Sequence, residues 1–148
     1  MLTTVTKRYE NLKAAHRQWK HPGHCKFVHG ENWSFEIMFS ADKVDSCGFV
    51  VDFGKLRPLR DALDSWFDHT LLIDEDDPER MRFEQLDADK LCDIRVVKSC
   101  SAEGLAELVF LIATQIIENN ADMRERGVEV RRVVCFEDNK NSATYCAQ

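Results

Sequence analysis

The stretch Glu31-Asn32-Trp33-Ser34-Phe35-Glu36-Ile37-Met38-Phe39 puts Trp33, Phe35, Ile37 and Phe39 on one face of an extended chain and Ser34, Glu36 and Met38 on the other. Strict alternation with aromatic and β-branched residues specifies a half-buried strand. The strand runs directly out of a turn at His29-Gly30. Working outward, residues 2–12 alternate more weakly but carry Thr, Val and Tyr, which predicts a first strand, and Cys47 to Asp52 reads as a further extended piece. Asp52 is a good N-cap for a helix running to about Phe67, with Leu56, Leu59, Leu63 and Trp66–Phe67 recurring at three and four residues. Pro58 lies early in it, where proline does least harm. The acidic and polar residues 74–90 predict a loop. Ser101 caps a second helix over 102–119, with its apolar stripe at Leu105, Leu108–Val109, Ile112 and Ile116. Gly127 precedes a strand over 128–136, Asp138-Asn139-Lys140-Asn141 is a turn cluster, and 142–146 is the returning strand. The order β-β-α-α-β-β specifies an α+β fold: a four-stranded antiparallel sheet with two helices on one face. Such a sheet has open edges, which predicts oligomerisation through them.

At 148 residues the chain is expected to form one domain, 1–148. A chain of this length buries roughly two thirds of its unfolded surface and can build a true core. The longest apolar run, Leu105 to Ile117, is interrupted by Glu107, Thr114 and Gln115, and falls short of the ~20 residues that span a bilayer. The N-terminus lacks an apolar segment of signal-peptide type, so a cytoplasmic location without membrane association is the expectation. Six cysteines without a CxxC pair point to buried or reactive thiols rather than to a zinc knuckle or a disulfide framework. The net charge of −6 and the absence of a basic face disfavour nucleic acid as a partner. The N-terminal third runs the other way, with Lys7, Arg8, Lys13, Arg17, Lys20 and Lys26. These bases fit either a solvated surface or a local attraction for an anionic small molecule.

One thiol, two imidazoles and a carboxylate (His16, Cys25, His29 and Glu31) fall within a short stretch. A catalytic zinc uses three such protein ligands and one open position. Glu31 stands two residues from His29, so on a strand both point to one face. Each histidine taken singly also fits a polar turn residue. Cys25, with His24, Lys26 and His29 nearby, is a candidate nucleophile or base, because cations and imidazoles favour the thiolate. Asp68-His69 closes the first helix. Asp can orient or tune a histidine, but adjacent helical residues do not face one another, so at least one is expected to act on a group elsewhere. The pair also reads simply as a charged helix end. Glu137, just past an apolar strand, is either a surface residue or an acceptor for the two parallel N–H groups of an amidine-like edge.

Ala14-Ala15-His16, Cys25-xxx-His29-Gly30, Val51-Asp52-Phe53-Gly54-Lys55-Leu56, Asp68-His69, Ser101-Ala102-Glu103-Gly104-Leu105-Ala106 and the late strand with Glu137 stand in an order that resembles the 6-pyruvoyl- and 6-carboxy-tetrahydropterin synthase family over nearly the whole chain. The resemblance implies the tunnelling fold, in which the sheets of three subunits join edge to edge into a barrel and two rings often stack into a hexamer, with active sites between subunits. It implies that His16 and His29 are two of three zinc-binding histidines. Cys25 matches the catalytic cysteine, Asp68 and His69 its partners from a neighbouring chain, and Glu137 the pterin-anchoring carboxylate. The three residues between Cys25 and His29-Gly30 match the bacterial carboxy-forming branch. The implied substrate is 7,8-dihydroneopterin triphosphate, on the route to queuosine-type deazapurines. The chain departs from the family at Glu31, where the family has the second histidine of His-Gly-His, and at Asn11-Leu12-Lys13, which lacks the family's aromatic residue before Ala14. Zn2+ is therefore expected on His16, His29 and Glu31, with His21 or His24 as substitutes for the third ligand. Lys13, Arg17, Lys20 and Lys26 are candidates for the triphosphate.

Overall fold

The computed structural model describes residues 2–148. Its strands are β1 (Thr4–His16), β2 (His29–Ser40), β3 (Thr70–Asp74), β4 (Ile94–Val97), β5 (Glu129–Phe136) and β6 (Ser142–Cys146). Its helices are α1 (Arg57–Phe67), α2 (Arg80–Ala88), α3 (Ala102–Asn119) and α4 (Ala121–Glu125), with short 3-10 turns at His24–Lys26 and Phe53–Leu56. The strands form one sheet in the order β4-β3-β1-β2-β5-β6. The neighbours β1, β2, β5 and β6 pair antiparallel and constitute the four strands expected from the sequence. The sheet is nevertheless six-stranded, because β3 and β4 extend it in parallel from the end of β1. Every residue of β3 is buried, so this strand shows no alternation.

Trp33, Phe35, Ile37 and Phe39 are fully buried, as the alternation of β2 requires. Against this face pack α3, which covers β5 and β6, and α1, which lies on β1 and on α3. Phe35 meets Phe67 of α1 at a ring separation of 4.9 Å, and Phe110 of α3 meets Tyr145 of β6 at 5.1 Å. Ser101 caps α3, its hydroxyl accepting from Gly104 N–H at 3.1 Å. Asp52 likewise accepts from Gly54 N–H, but the turn it starts is 3-10 and the α-helix begins only at Arg57. Residues 47–52 are not a strand. They fold around Asp45, whose carboxylate accepts from the N–H groups of Cys47 and Phe49 at 2.9 Å each.

The acidic segment is not a solvent loop either. Asp74 and Asp77 are buried, and α2 follows them. Asp74 accepts from Cys100 N–H, while Asp77 holds Arg17 by two bonds of 2.6 and 2.7 Å and also accepts from Glu79 N–H. α2 buries no residue, which is why no apolar periodicity announces it. Among the described residues no helix is long and apolar enough to cross a membrane.

Gly104 lies where the backbone of α3 presses on the preceding turn: a Cβ there would stand 2.6 Å from both the Cβ and the carbonyl oxygen of Ser99. Gly104→Ala is therefore expected to destabilise the fold by about 1–3 kcal/mol, the usual cost of overpacking, read as a lower denaturant midpoint at unchanged slope. An unchanged midpoint would show that the α3 start tolerates a side chain.

Candidate metal and catalytic site

The phase of β1 decides the site. Tyr9 faces the core opposite Phe35, and Leu12 faces it opposite Trp33, so Glu10 and Asn11 together span what one residue spans on β2. This β-bulge is carried by Asn11 in the left-handed region, φ 61°. Without it the even-numbered residues after Tyr9 would point away from the helices. With it, Leu12, Ala14 and His16 all point inward. His16 then stands directly opposite His29 on β2, with ring centroids 4.6 Å apart. Glu31 follows His29 on the same face. Glu137, one residue beyond β5, is in phase with the buried Val133 and Cys135.

One potential ligand atom from each of His16, His29, Glu31 and Glu137 lies within 4.8 Å of all the others. His29 Nε2 is 3.4 Å from Glu31 Oε1, and His16 Nε2 is 3.9 Å from Glu137 Oε1. The other nitrogen of each ring is already committed: His16 Nδ1 is 2.9 Å from the Cys100 carbonyl oxygen and His29 Nδ1 is 2.7 Å from that of Phe27. A carbonyl only accepts, so both rings donate from Nδ1 and, when neutral, turn a lone pair on Nε2 into the cluster. His16 Nε2 is buried without a hydrogen-bond partner among the described residues. Burial pushes the His16 imidazole below its ordinary pKa, with the Cys100 carbonyl only partly opposing this. Burial, and next the charge of Glu137, push the Glu31 carboxyl above its ordinary range. A neutral buried imidazole with an orphaned nitrogen, facing two carboxylates that repel one another, fits a divalent cation. The donor set suits zinc. His21 and His24 stand outside this group. The ring of His21 accepts from Gly23 N–H at 2.9 Å, which explains its position.

Cys25 sits partly buried in the 3-10 turn His24–Lys26 and lines a cleft of about 550 Å³ together with Lys20, His21, Ser101, Glu103 and Glu137. Glu137 thus belongs both to the cation cluster and to the wall of the cysteine cleft. The sequence signals its part in the cation cluster only through its phase with the buried Cys135. Asp68 and His69 do not line that cleft. Against the expectation for adjacent residues, they contact one another: His69 Nδ1 is 2.9 Å from Asp68 Oδ1. They do so because Asp68 has already left the helix and His69 is left-handed, φ 59°. The His69 ring is largely exposed, and its backbone N–H is tied to Lys13 O at 2.7 Å. Two of the bases considered for a triphosphate are engaged: Arg17 by Asp77 and Lys20 by Asp76, at 2.8 Å.

A sequence model of 6-pyruvoyl tetrahydropterin synthase matches residues 4–148. The chain belongs to the 6-pyruvoyl tetrahydropterin synthase family. Curated relatives include proteins named 6-carboxy-5,6,7,8-tetrahydropterin synthase from Rickettsia conorii, 40% identical over 75 residues, and from Bacillus subtilis, 38% identical over 55 residues. The first alignment covers 50% of this chain and 54% of the relative, the second 37% and 36%, so the chain spans about half the length, or less, of the curated relatives it matches. Among solved structures, an uncharacterized protein from Wolinella succinogenes superposes with a TM-score of 0.81 at 19% identity, covering 100% of this chain and 99% of the other. A catalytic-residue mutant of 6-pyruvoyltetrahydropterin synthase from Plasmodium vivax gives 0.68 at 17%, covering 97% of each. These two likenesses establish a shared fold. In this chain the cluster sets two carboxylates, Glu31 and Glu137, beside two imidazoles, His16 and His29.

Proposed function

We propose that this chain is a 6-carboxy-5,6,7,8-tetrahydropterin synthase, a zinc-dependent carbon–carbon lyase acting on 7,8-dihydroneopterin triphosphate with release of acetaldehyde and triphosphate, in queuosine-type deazapurine biosynthesis. The observation that carries this reading is the position of Glu137, one carboxylate shared between the cation cluster and the cleft of Cys25. The names of the curated relatives and the three-residue interval between Cys25 and His29-Gly30 favour the carboxy-forming reaction. His16, His29 and Glu31 would hold the zinc, which when bound acts as a Lewis acid on the substrate side chain. Glu31 brings negative charge and so moderates that acidity. Cys25 moves protons at the side chain, a role worth about 10²–10⁴-fold for a positioned acid or base. Glu137 accepts from the pterin's amino and ring N–H groups and fixes its orientation. Asp68 and His69 serve the Cys25 of a neighbouring subunit in a trimer or hexamer, consistent with their exposure and their absence from the lining of this chain's own cleft.

The deciding experiment is incubation of metal-loaded protein with 7,8-dihydroneopterin triphosphate. Acetaldehyde and a 6-carboxy product are expected. A 6-pyruvoyl product without acetaldehyde would assign the sister reaction named in the Plasmodium vivax structure. No turnover with intact pterin binding would mark Glu31 as the sign of a silent pterin-binding paralogue. Glu137→Gln is expected to weaken pterin binding by about tenfold or more, since one charge-assisted hydrogen bond contributes roughly 1.5–3 kcal/mol. An unchanged affinity would remove Glu137 from the anchoring role.

A further inference from the structure

Beside β1 and the start of α1 lies a second cleft, of about 450 Å³, that shares no lining residue with the cleft of Cys25. Its charged walls are Lys7, Arg8, Arg57 and Arg60, and among the described residues no carboxylate lines it. Arg57 and Arg60 bind Asp61 and Asp64 through Nε, at 2.8 and 3.0 Å. This leaves the terminal Nη groups of both guanidinium forks without a side-chain partner. Arg8, although it lines the cleft, is already paired with Glu10 and Glu36. Among the described residues Lys7 has no carboxylate partner, and it lies 5.9 and 5.8 Å from the ring centroids of Tyr9 and Phe53.

Tyr9 lines the same cleft, only 3% exposed, and its hydroxyl is buried with no hydrogen-bond partner among the described residues. An orphaned buried donor costs about 1–3 kcal/mol, so the hydroxyl at this position carries a stability cost. Burial pushes the Tyr9 hydroxyl up to about 12, even against the lowering effect of Arg60, so it stays protonated and can only be satisfied fully by an acceptor. Phe53 at the rim keeps 44% of its surface in solvent, an aromatic face beside the cations.

We propose that this cleft is an anion site for a phosphate-rich small molecule, with Lys7, Arg57 and Arg60 and the Tyr9 hydroxyl as donors to phosphate oxygens and Phe53 as a platform for an attached ring. Arginine forks match phosphate oxygens two at a time, and lysine adds a point charge. The inference does not depend on the reaction proposed above, because it uses none of the residues assigned to that reaction.

Calorimetric titration with inorganic tripolyphosphate tests it. Binding of one anion per chain is expected, weakening as salt is raised. The double variant Lys7→Gln/Arg60→Gln should lose affinity by about a hundredfold, roughly tenfold per charge-assisted bond. Tyr9→Phe, which keeps the packed ring, should lose about three- to tenfold and should gain thermal stability when no anion is present, since it removes the orphaned hydroxyl. Repeating the titration with a nucleoside triphosphate asks about the ring: Phe53→Ser should weaken that ligand and leave tripolyphosphate unaffected. Absence of binding at millimolar anion, or binding that survives the double variant, would overturn the site.

Discussion

Cys25→Ala is expected to lower turnover by at least about 10²–10⁴-fold, the contribution of a positioned proton-transfer group, while the fold and the metal content stay as they are. The structural part follows from how Cys25 is held. The turn around it is fixed by its backbone, whose carbonyl accepts from Gln18 N–H at 2.9 Å, and alanine keeps that bond. The thiol is not among the four donors of the cation cluster. Activity at the parental level would remove the thiol from the mechanism. The same variant tests the assembly. His69→Ala should also be inactive, and neither defect is repaired within its own homo-oligomer. If Asp68 and His69 act on the Cys25 of a neighbour, an equal mixture refolded together should regain about one quarter of the parental activity, because a random half of the thiols and a random half of the imidazoles are intact. A mixture as inactive as its parents would place His69 outside the intersubunit role.

The legible parts of the fold are those with local signals. α3 begins after Ser101 and ends at Asn119 because the cap and the apolar stripe are written within the helix itself, and β2 is written in its alternation. β6 is bounded by the Asp138–Asn141 turn, in which Asp138 accepts from the N–H groups of Lys140 and Asn141. The illegible parts depend on distant partners. β3 is a five-residue run buried on both faces, and without β1 and β4 beside it nothing distinguishes it from the end of a helix. Asp74 and Asp77 look like solvated charge until Cys100 and Arg17 come to meet them. In the site, the residue types were readable and their convergence was not. His16 joins His29 only because the bulge at Asn11 turns it inward, and the sequence shows that bulge just as a loss of clean alternation between Tyr9 and Leu12. Asp68 and His69 were readable as a pair, but their mutual bond depends on a left-handed His69 that no local residue announces.

Metal removal is expected to have the largest effect on stability. In the metal-free cluster, two carboxylates and two imidazoles face one another with His16 Nε2 unpartnered. Two like charges about 4 Å apart repel by roughly 4 kcal/mol at an effective dielectric constant near 20, so the cluster favours a bound cation. A metal present at about a thousand times its dissociation constant adds about 4 kcal/mol to folding stability. For a chain of this size that corresponds to a fall in melting temperature of roughly 8–16 °C on chelation, restored by adding zinc back. Purified protein should carry about one zinc per chain. His16→Ala should abolish binding, because it removes a ligand whose tautomer is fixed by the Cys100 carbonyl and leaves two carboxylates to one imidazole. The informative position is Glu31. If it ligates, Glu31→Ala should weaken zinc by about 10–1000-fold and Glu31→His should retain it, since either a carboxylate or an imidazole completes a three-ligand catalytic site. Glu31→Ala with parental zinc affinity would show instead that Glu137 supplies the third ligand, which would take Glu137 away from the pterin and change the reading of the whole cleft. Protein that binds no zinc at all, with a melting temperature indifferent to chelator, would remove the metal from this chain's chemistry and leave the cluster as one buried and three half-buried polar groups whose repulsion the fold sustains by itself.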